Sequence, residues 1–388
     1  MLIRELISNE IENIKLKGFY RQLNENKNNN AIINLSSNDY LGLAYNAEIK
    51  RAAKQIISAY PLSSASSPLM YGYFMPHIDL ENKLCSFKGG YERCILYPSG
   101  YQANMGVISA LSGISLSKTF IAFDELSHAS IVDGVLCSKA KFRRFRHNDS
   151  EHLDKILKKY SSYEIKIVIT EGVFSMDGDI ADLPDIINVS KDNNAITILD
   201  DAHATGTIGS LGGGSCNFYS DNGVKLKPDV MVGTLGKALA SEGAFVLSDN
   251  LIIDYLINKS RPYIFSTAIS PVAAGIALQA LNIIENKPEL VIKLQMMSQN
   301  IRIVLKNSGL NILNSNTHII PILIGDEIKA AEIEKTFINK GILLKAVKYP
   351  TVAKGSARLR LSVNAGLSDA DVKYVLDNLT GLIKQIGH

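Results

Sequence analysis

The stretch Thr197-Ile198-Leu199-Asp200-Asp201-Ala202-His203 carries an apolar run directly into two acids and a histidine. A second apolar run, Val230 to Gly233, continues through Thr234-Leu235-Gly236 to Lys237. Short continuous apolar runs of this kind suit strands of a sheet covered on both faces. An Asp and a Lys just past the ends of neighbouring strands bring opposite charges to one rim of that sheet. Ligands of open α/β sheets bind at that rim.

Asp200 is costly in an apolar setting unless paired, and a desolvated lysine such as Lys237 becomes both nucleophile and base. Together they match the needs of pyridoxal phosphate (PLP), where Lys links to the aldehyde and Asp keeps the pyridine nitrogen protonated. Asp200 alone also reads as an N-cap or a metal ligand. A metal held by Asp200, Asp201 and His203 has the right donor types but leaves Lys237 unexplained.

Other strand ends add to the same rim. Pro98-Ser99-Gly100-Tyr101-Gln102-Ala103-Asn104 opens a helix after a strand, and its free N–H groups suit a phosphate. His128, in Phe123-Asp124-Glu125-Leu126-Ser127-His128-Ala129-Ser130, can stack on a cofactor ring, or serve only as a helix-start residue. His203 can hydrogen-bond a phenolic ring oxygen. Glu171-Gly172-Val173-Phe174-Ser175-Met176-Asp177-Gly178 is a further strand-end loop.

Outward from this centre, strands are expected at Cys94–Tyr97, Phe120–Phe123, Ile165–Thr170, Ala195–Leu199, Val230–Gly233 and Ala244–Leu247, with helices between several of them. The reading is an α/β layered sheet. After Pro271 long helical patterns (Val272–Glu285, Pro288–Asn307) precede His318–Ile324, a helix to Lys340, a strand at Ala357–Val363 and a last helix from Asp369. Residues 2–23 read as an amphipathic helix, with Ile3, Leu6, Ile7, Ile11 and Ile14 at helical spacing. The expected division is an N-terminal helix and arm (1–45), a large domain (46–275) and a smaller α+β domain (276–388) joined by the arm.

At 388 residues the chain exceeds one ordinary core. Its 41 basic and 38 acidic side chains are too balanced for a nucleic-acid surface. The one dense basic run, Lys141, Arg143, Arg144 and Arg146, reads as a strand edge or solvated loop. Cys85, Cys94, Cys137 and Cys216 are scattered, as thiols of a reducing compartment are, with no spacing for disulfides or structural zinc. With neither a signal-peptide core nor a membrane-length apolar run, a cytoplasmic location away from membranes is expected.

With these motifs in place the chain closely resembles the α-oxoamine synthases, fold-type-I PLP enzymes that join an amino acid to an acyl thioester with loss of carbon dioxide. The likeness rests on Ser36-Ser37-Asn38-Asp39-Tyr40-Leu41-Gly42, Ser99-Gly100-Tyr101, Ser127-His128-Ala129-Ser130, the 171–178 loop, Asp200 to Gly206, Thr234-Leu235-Gly236-Lys237, Phe265-Ser266-Thr267 and Arg358-Leu359-Arg360-Leu361-Ser362. The resemblance implies a mainly parallel sheet covered by helices, with Lys237 holding PLP, Asp200 on its ring nitrogen, His203 on its ring oxygen and His128 over its face. Gly100, Tyr101, Ser175 and Thr234 would line the cofactor. Thr267 would reach the phosphate from the neighbouring subunit of a homodimer. Arg360 would hold the amino-acid carboxylate, and Asn38, Thr351 and Arg21 would face the substrates.

Asp200-Asp201-Ala202-His203 followed by Thr205-Gly206-Thr207-Ile208-Gly209 is similar to the branch that opens biotin ring assembly. That branch implies L-alanine with pimeloyl-CoA or pimeloyl-acyl carrier protein. Glycine C-acetyltransferase, and a non-catalytic partner subunit, are the alternatives; the latter typically lacks the lysine. One departure stands out. Where relatives carry a glycine-rich segment, this chain reads Leu62-Ser63-Ser64-Ala65-Ser66-Ser67-Pro68-Leu69, near the expected acyl-donor entrance.

Overall fold

The computed structural model describes residues 2–382 apart from 18, 22 and 24–31. The asparagine-rich 24–30 stretch thus lies outside the described residues. In chain order the elements begin with α1 (Leu2–Leu16), β1 (Ile33–Asn34), α2 (Ala47–Ala59), α3 (Met75–Phe87), β2 (Arg93–Tyr97), α4 (Gly100–Ser112), β3 (Thr119–Asp124), α5 (Ala129–Ser138), β4 (Lys141–Phe145) and α6 (Ser150–Lys159). Next come β5 (Ile165–Glu171), α7 (Leu183–Asp192), β6 (Ala195–Asp200), α8 (Ser215–Asp221), β7 (Val230–Thr234), β8 (Ala244–Ser248), α9 (Asn250–Lys259), α10 (Arg261–Ile264) and α11 (Pro271–Asn286). The chain closes with α12 (Glu289–Asn307), β9 (Ile319–Gly325), α13 (Glu327–Asn339), β10 (Ile342–Leu343), β11 (Lys345–Val347), β12 (Ala357–Ser362) and α14 (Asp369–Thr380).

Seven strands form the central sheet in the order β2-β8-β7-β6-β5-β3-β4. Only β8 runs antiparallel to its neighbours. Apart from the edge strand β4, the strands are largely buried on both faces, and alternate side chains enter different cores, as period-two geometry requires. Ile121, Phe123, Ile167, Ile169 and Val232 pack with Val107 of α4 and Val135 of α5. Phe120, Ala122 and Val168 pack with Leu153 of α6 and Ile186 of α7. The six expected strands are all present. The basic run is a seventh, the edge strand β4, whose Arg143 and Arg144 lie over the rings of Tyr160 and Phe123 at 5.6 and 5.5 Å. Charge on an exposed edge discourages pairing with other chains.

Beyond α12, the strands β11, β12 and β9 form an antiparallel sheet in that order. β1 pairs in parallel with β10, so the N-terminal segment joins this C-terminal part. The first helix ends at Leu16, not near 23, and none of its residues is buried. Downstream of it, Phe19 meets the ring of Tyr349 at 5.5 Å. Among the described residues no helix is long and apolar enough to cross a membrane.

Candidate active site

Register decides which side chains meet. β5 and β6 run parallel with Glu171 opposite Asp200, and β6 and β7 place Asp200 opposite Val232. Strand β7 therefore delivers Thr234, and the turn after it Lys237, to the rim occupied by Asp200. Ser99 caps α4 by accepting the Gln102 N–H at 3.2 Å, so the helix starts at the same rim. A cavity of ≈ 200 Å³ results, lined by Gly100, Tyr101, Asn104, His128, Ser130, Glu171, Asp200, Ala202, His203, Thr234 and Lys237.

Asp200 is buried. It accepts hydrogen bonds from Asn104 Nδ2 at 2.7 Å and Ala202 N at 3.0 Å, and forms no ion pair among the described residues. Asn104 Nδ2 also donates to Ser130 Oγ at 2.9 Å, which lies 2.8 Å from His128 Nδ1. Lys237 Nζ is 2.8 Å from His203 Nε2. Burial lowers the Lys237 pKa to about 8 against the opposing pull of Asp200. Burial, then the charges of Lys237 and Arg360, hold His203 well below the usual histidine range, so it is neutral.

The hydrogen-bonded chain continues from His203. Its Nδ1 is 2.7 Å from the Tyr40 hydroxyl, which donates to Asn38 Oδ1 at 2.9 Å. Arg360, on β12, donates to Tyr40 at 3.4 Å, to Asn38 Oδ1 at 3.4 and 3.5 Å, to Ser175 O at 2.6 Å and to Ser362 Oγ at 2.7 Å. Two residues earlier on the same strand face, Arg358 is paired with Asp177 at 2.7 Å. Arg360 is buried with no carboxylate partner among the described residues, which leaves its charge for a ligand.

The metal alternative loses its third ligand. Asp201 is committed to Lys88 at 2.5 Å, with both side chains fully buried, and Ser215 N–H and hydroxyl also donate to it. His203 is committed to Tyr40 and Lys237.

Of the residues expected from sequence, Lys237, Asp200, His203, His128, Gly100, Tyr101 and Thr234 line one cavity. Ser175, Asn38 and Arg360 join it through the Tyr40 chain. Thr267 and Thr351 are exposed and outside the cavity lining, and Arg21 is exposed beyond α1. Sequence reading missed the roles of Tyr40, Asn104, Ser130 and Glu171, although all four stand within motifs singled out there. Polar residues inside otherwise apolar elements were the available signal.

These residues suit PLP. A buried carboxylate without a cation fits a protonated ring nitrogen, and a lysine of lowered pKa fits an aldehyde. The first N–H groups of α4, Gly100 and Tyr101, have no carbonyl partner within the helix and so suit a phosphate.

The sequence profile described as aminotransferase class I and II matches residues 30–379. The 8-amino-7-oxononanoate synthase of Thermoanaerobacter pseudethanolicus is 36% identical over 392 residues, 98% of each chain. A lysine-to-alanine variant of serine palmitoyltransferase from S. paucimobilis, with a PLP–myriocin aldimine bound, superposes with a TM-score of 0.89 at 26% identity, over 98% of this chain and 97% of that one. The 8-amino-7-oxononanoate synthase from Francisella tularensis superposes with a TM-score of 0.77 at 26% identity, over 92% and 99%.

Proposed function

Because the chain belongs to the aminotransferase class I and II family, we propose that it is a PLP-dependent acyltransferase of the 8-amino-7-oxononanoate synthase type. L-Alanine and a pimeloyl thioester, on CoA or acyl carrier protein, condense to 8-amino-7-oxononanoate. A C–C bond forms at the alanine α-carbon, the thioester C–S bond breaks to release thiol, and the alanine carboxylate leaves as CO2. The observation that carries the reading is the continuous path from Lys237, beside Asp200 in the cavity, through His203 and Tyr40 to Arg360, which has no carboxylate partner among the described residues.

PLP, when bound, supplies an aldehyde for the amino acid's amine and a ring that draws electrons from its α-carbon. Asp200 holds the proton at the ring nitrogen. Arg360 orients the substrate carboxylate through its fork, and Asn38, already against that fork, borders the same place. Lys237 Nζ takes the α-proton and later returns one, a task suited to a base with a pKa of about 8. His203 would hydrogen-bond the ring oxygen, and Ser175 would line the cofactor. His128 covers the ring face and donates to the thioester carbonyl oxygen as charge builds there. Gly100, Tyr101 and Thr234 hold the phosphate.

The site is completed in a homodimer by Thr267 of the second copy. Supporting this, Thr267 is exposed, and Leu69, Met70 and Phe265 lie exposed around the packed α10 region. Thr351 and Arg21 face the substrates. Mass-spectrometric detection of 8-amino-7-oxononanoate from L-alanine and pimeloyl-CoA tests the reading. Product formed only from glycine and acetyl-CoA would move the chain to the acetyltransferase branch.

A further inference from the structure

Glu171 lines the cofactor cavity and has no part in the chemistry above. It ends β5, faces Asp200 across the parallel ladder and is 2% exposed. Its Oε1 accepts the main-chain N–H of His128 at 2.5 Å. His128 caps α5 and enters the cavity from a loop. Its ring is held separately, since Nδ1 accepts the Ser130 N–H at 3.2 Å and lies 2.8 Å from Ser130 Oγ. N–H and ring are thus held by different residues: Glu171 accepts the main-chain N–H, while the carbonyl accepts from Ile131 N and Val132 N of α5.

We propose, resting on the PLP reading above, that Glu171 is the positioning residue for His128, its side-chain oxygen anchoring the main chain from which the imidazole covers the cofactor ring. The groups facing Glu171 are Asp200 at the end of β6, Lys237 after β7, His128 before α5 and Asp124 at the end of β3. Two carboxylates side by side in a closed cavity do not both ionise. Burial, then the charge of Asp200, pushes the Glu171 carboxyl well above the usual range, so this acid keeps its proton. A neutral Glu171 anchors His128 without competing with Asp200 for the ring-nitrogen proton.

Glu171→Gln and Glu171→Ala separate anchoring from charge. The amide oxygen of Gln accepts the same N–H and adds no charge. PLP affinity and the pH midpoint of the bound-PLP absorbance should therefore stay within about twofold and a few tenths of a unit of wild type. The Ala variant strands a buried N–H and should weaken PLP binding about tenfold or more, with unfolding temperature monitored to separate this from loss of fold. An Ala variant that binds PLP like wild type overturns the proposal, as does a Gln variant whose absorbance midpoint moves by a full unit. If wild type itself takes up no PLP, the reading beneath the proposal fails with it.

Discussion

Lys237 owes its reactivity to where β7 ends. Burial removes the solvation of its ammonium, and Asp200 only partly restores the preference for charge. Capture of PLP by the unloaded protein needs the neutral amine. The capture rate should rise with pH through about 8 and level off above it, as stopped-flow absorbance would show; a flat profile contradicts the assignment. Lys237→Ala should cost more than about 10³-fold in turnover while leaving circular dichroism unchanged. Arg360 offers a planar fork that an ammonium cannot reproduce. Arg360→Lys should raise KM for L-alanine roughly 10- to 100-fold in steady-state kinetics.

At the scale of elements, loops at the sheet rim are clipped together by buried charges that the chemistry does not touch. His147, after β4, lies 3.1 Å from Asp124 at the end of β3 and 2.7 Å from Asp179 in the 171–180 loop. Burial opposes its charge, but the two carboxylates outweigh burial and push its pKa up to about 10. A pKa raised on folding adds stability that is complete below the unfolded value near 6.5 and lost as pH rises through about 10. Urea midpoints should therefore fall across that window, by at most about 1.4 kcal/mol per pH unit, and His147→Gln should flatten the slope. The Lys88–Asp201 pair braces the turn that carries His203. Lys88→Met leaves a buried charge unpaired and should destabilise the fold by about 3–5 kcal/mol in chemical denaturation.

Elements were also where sequence reading met its limits. The six apolar strands were legible because burial on both faces writes an unbroken apolar run. β4 was ambiguous because an edge strand faces solvent and reads like a loop. The expected helix over 2–23 runs past the observed end at Leu16, because the apolar spacing from Ile3 to Ile14 marks no C-terminal stop and no core fixes the helix's end. Lys237, Asp200 and His203 were legible from their places at strand ends. Tyr40 and Glu171 gain their roles from partners 163 and 43 residues away, a proximity set only by the assembled sheet.

For the whole molecule, the N-terminal arm and the β9–β12 region meet the central sheet behind the cavity wall, where Tyr40 contacts His203 and Arg360 on β12 reaches Ser175 after β5. A homodimer sharing Thr267 across the interface predicts complementation. Mixed Lys237→Ala and Thr267→Ala subunits form one intact site per heterodimer and should regain activity that neither variant alone possesses in full. The 62–69 segment holds Ala65 and Tyr71 borders it, both with positive φ (48° and 70°), so backbone conformations that favour glycine persist there without it. The most direct test of the account is thiol release by the PLP-loaded protein, with pimeloyl-CoA and L-alanine against acetyl-CoA and glycine, and Lys237→Ala in parallel. The account predicts release with the first pair, little with the second and none from the variant. Undiminished release by Lys237→Ala, or release with the acetyl pair alone, would contradict it.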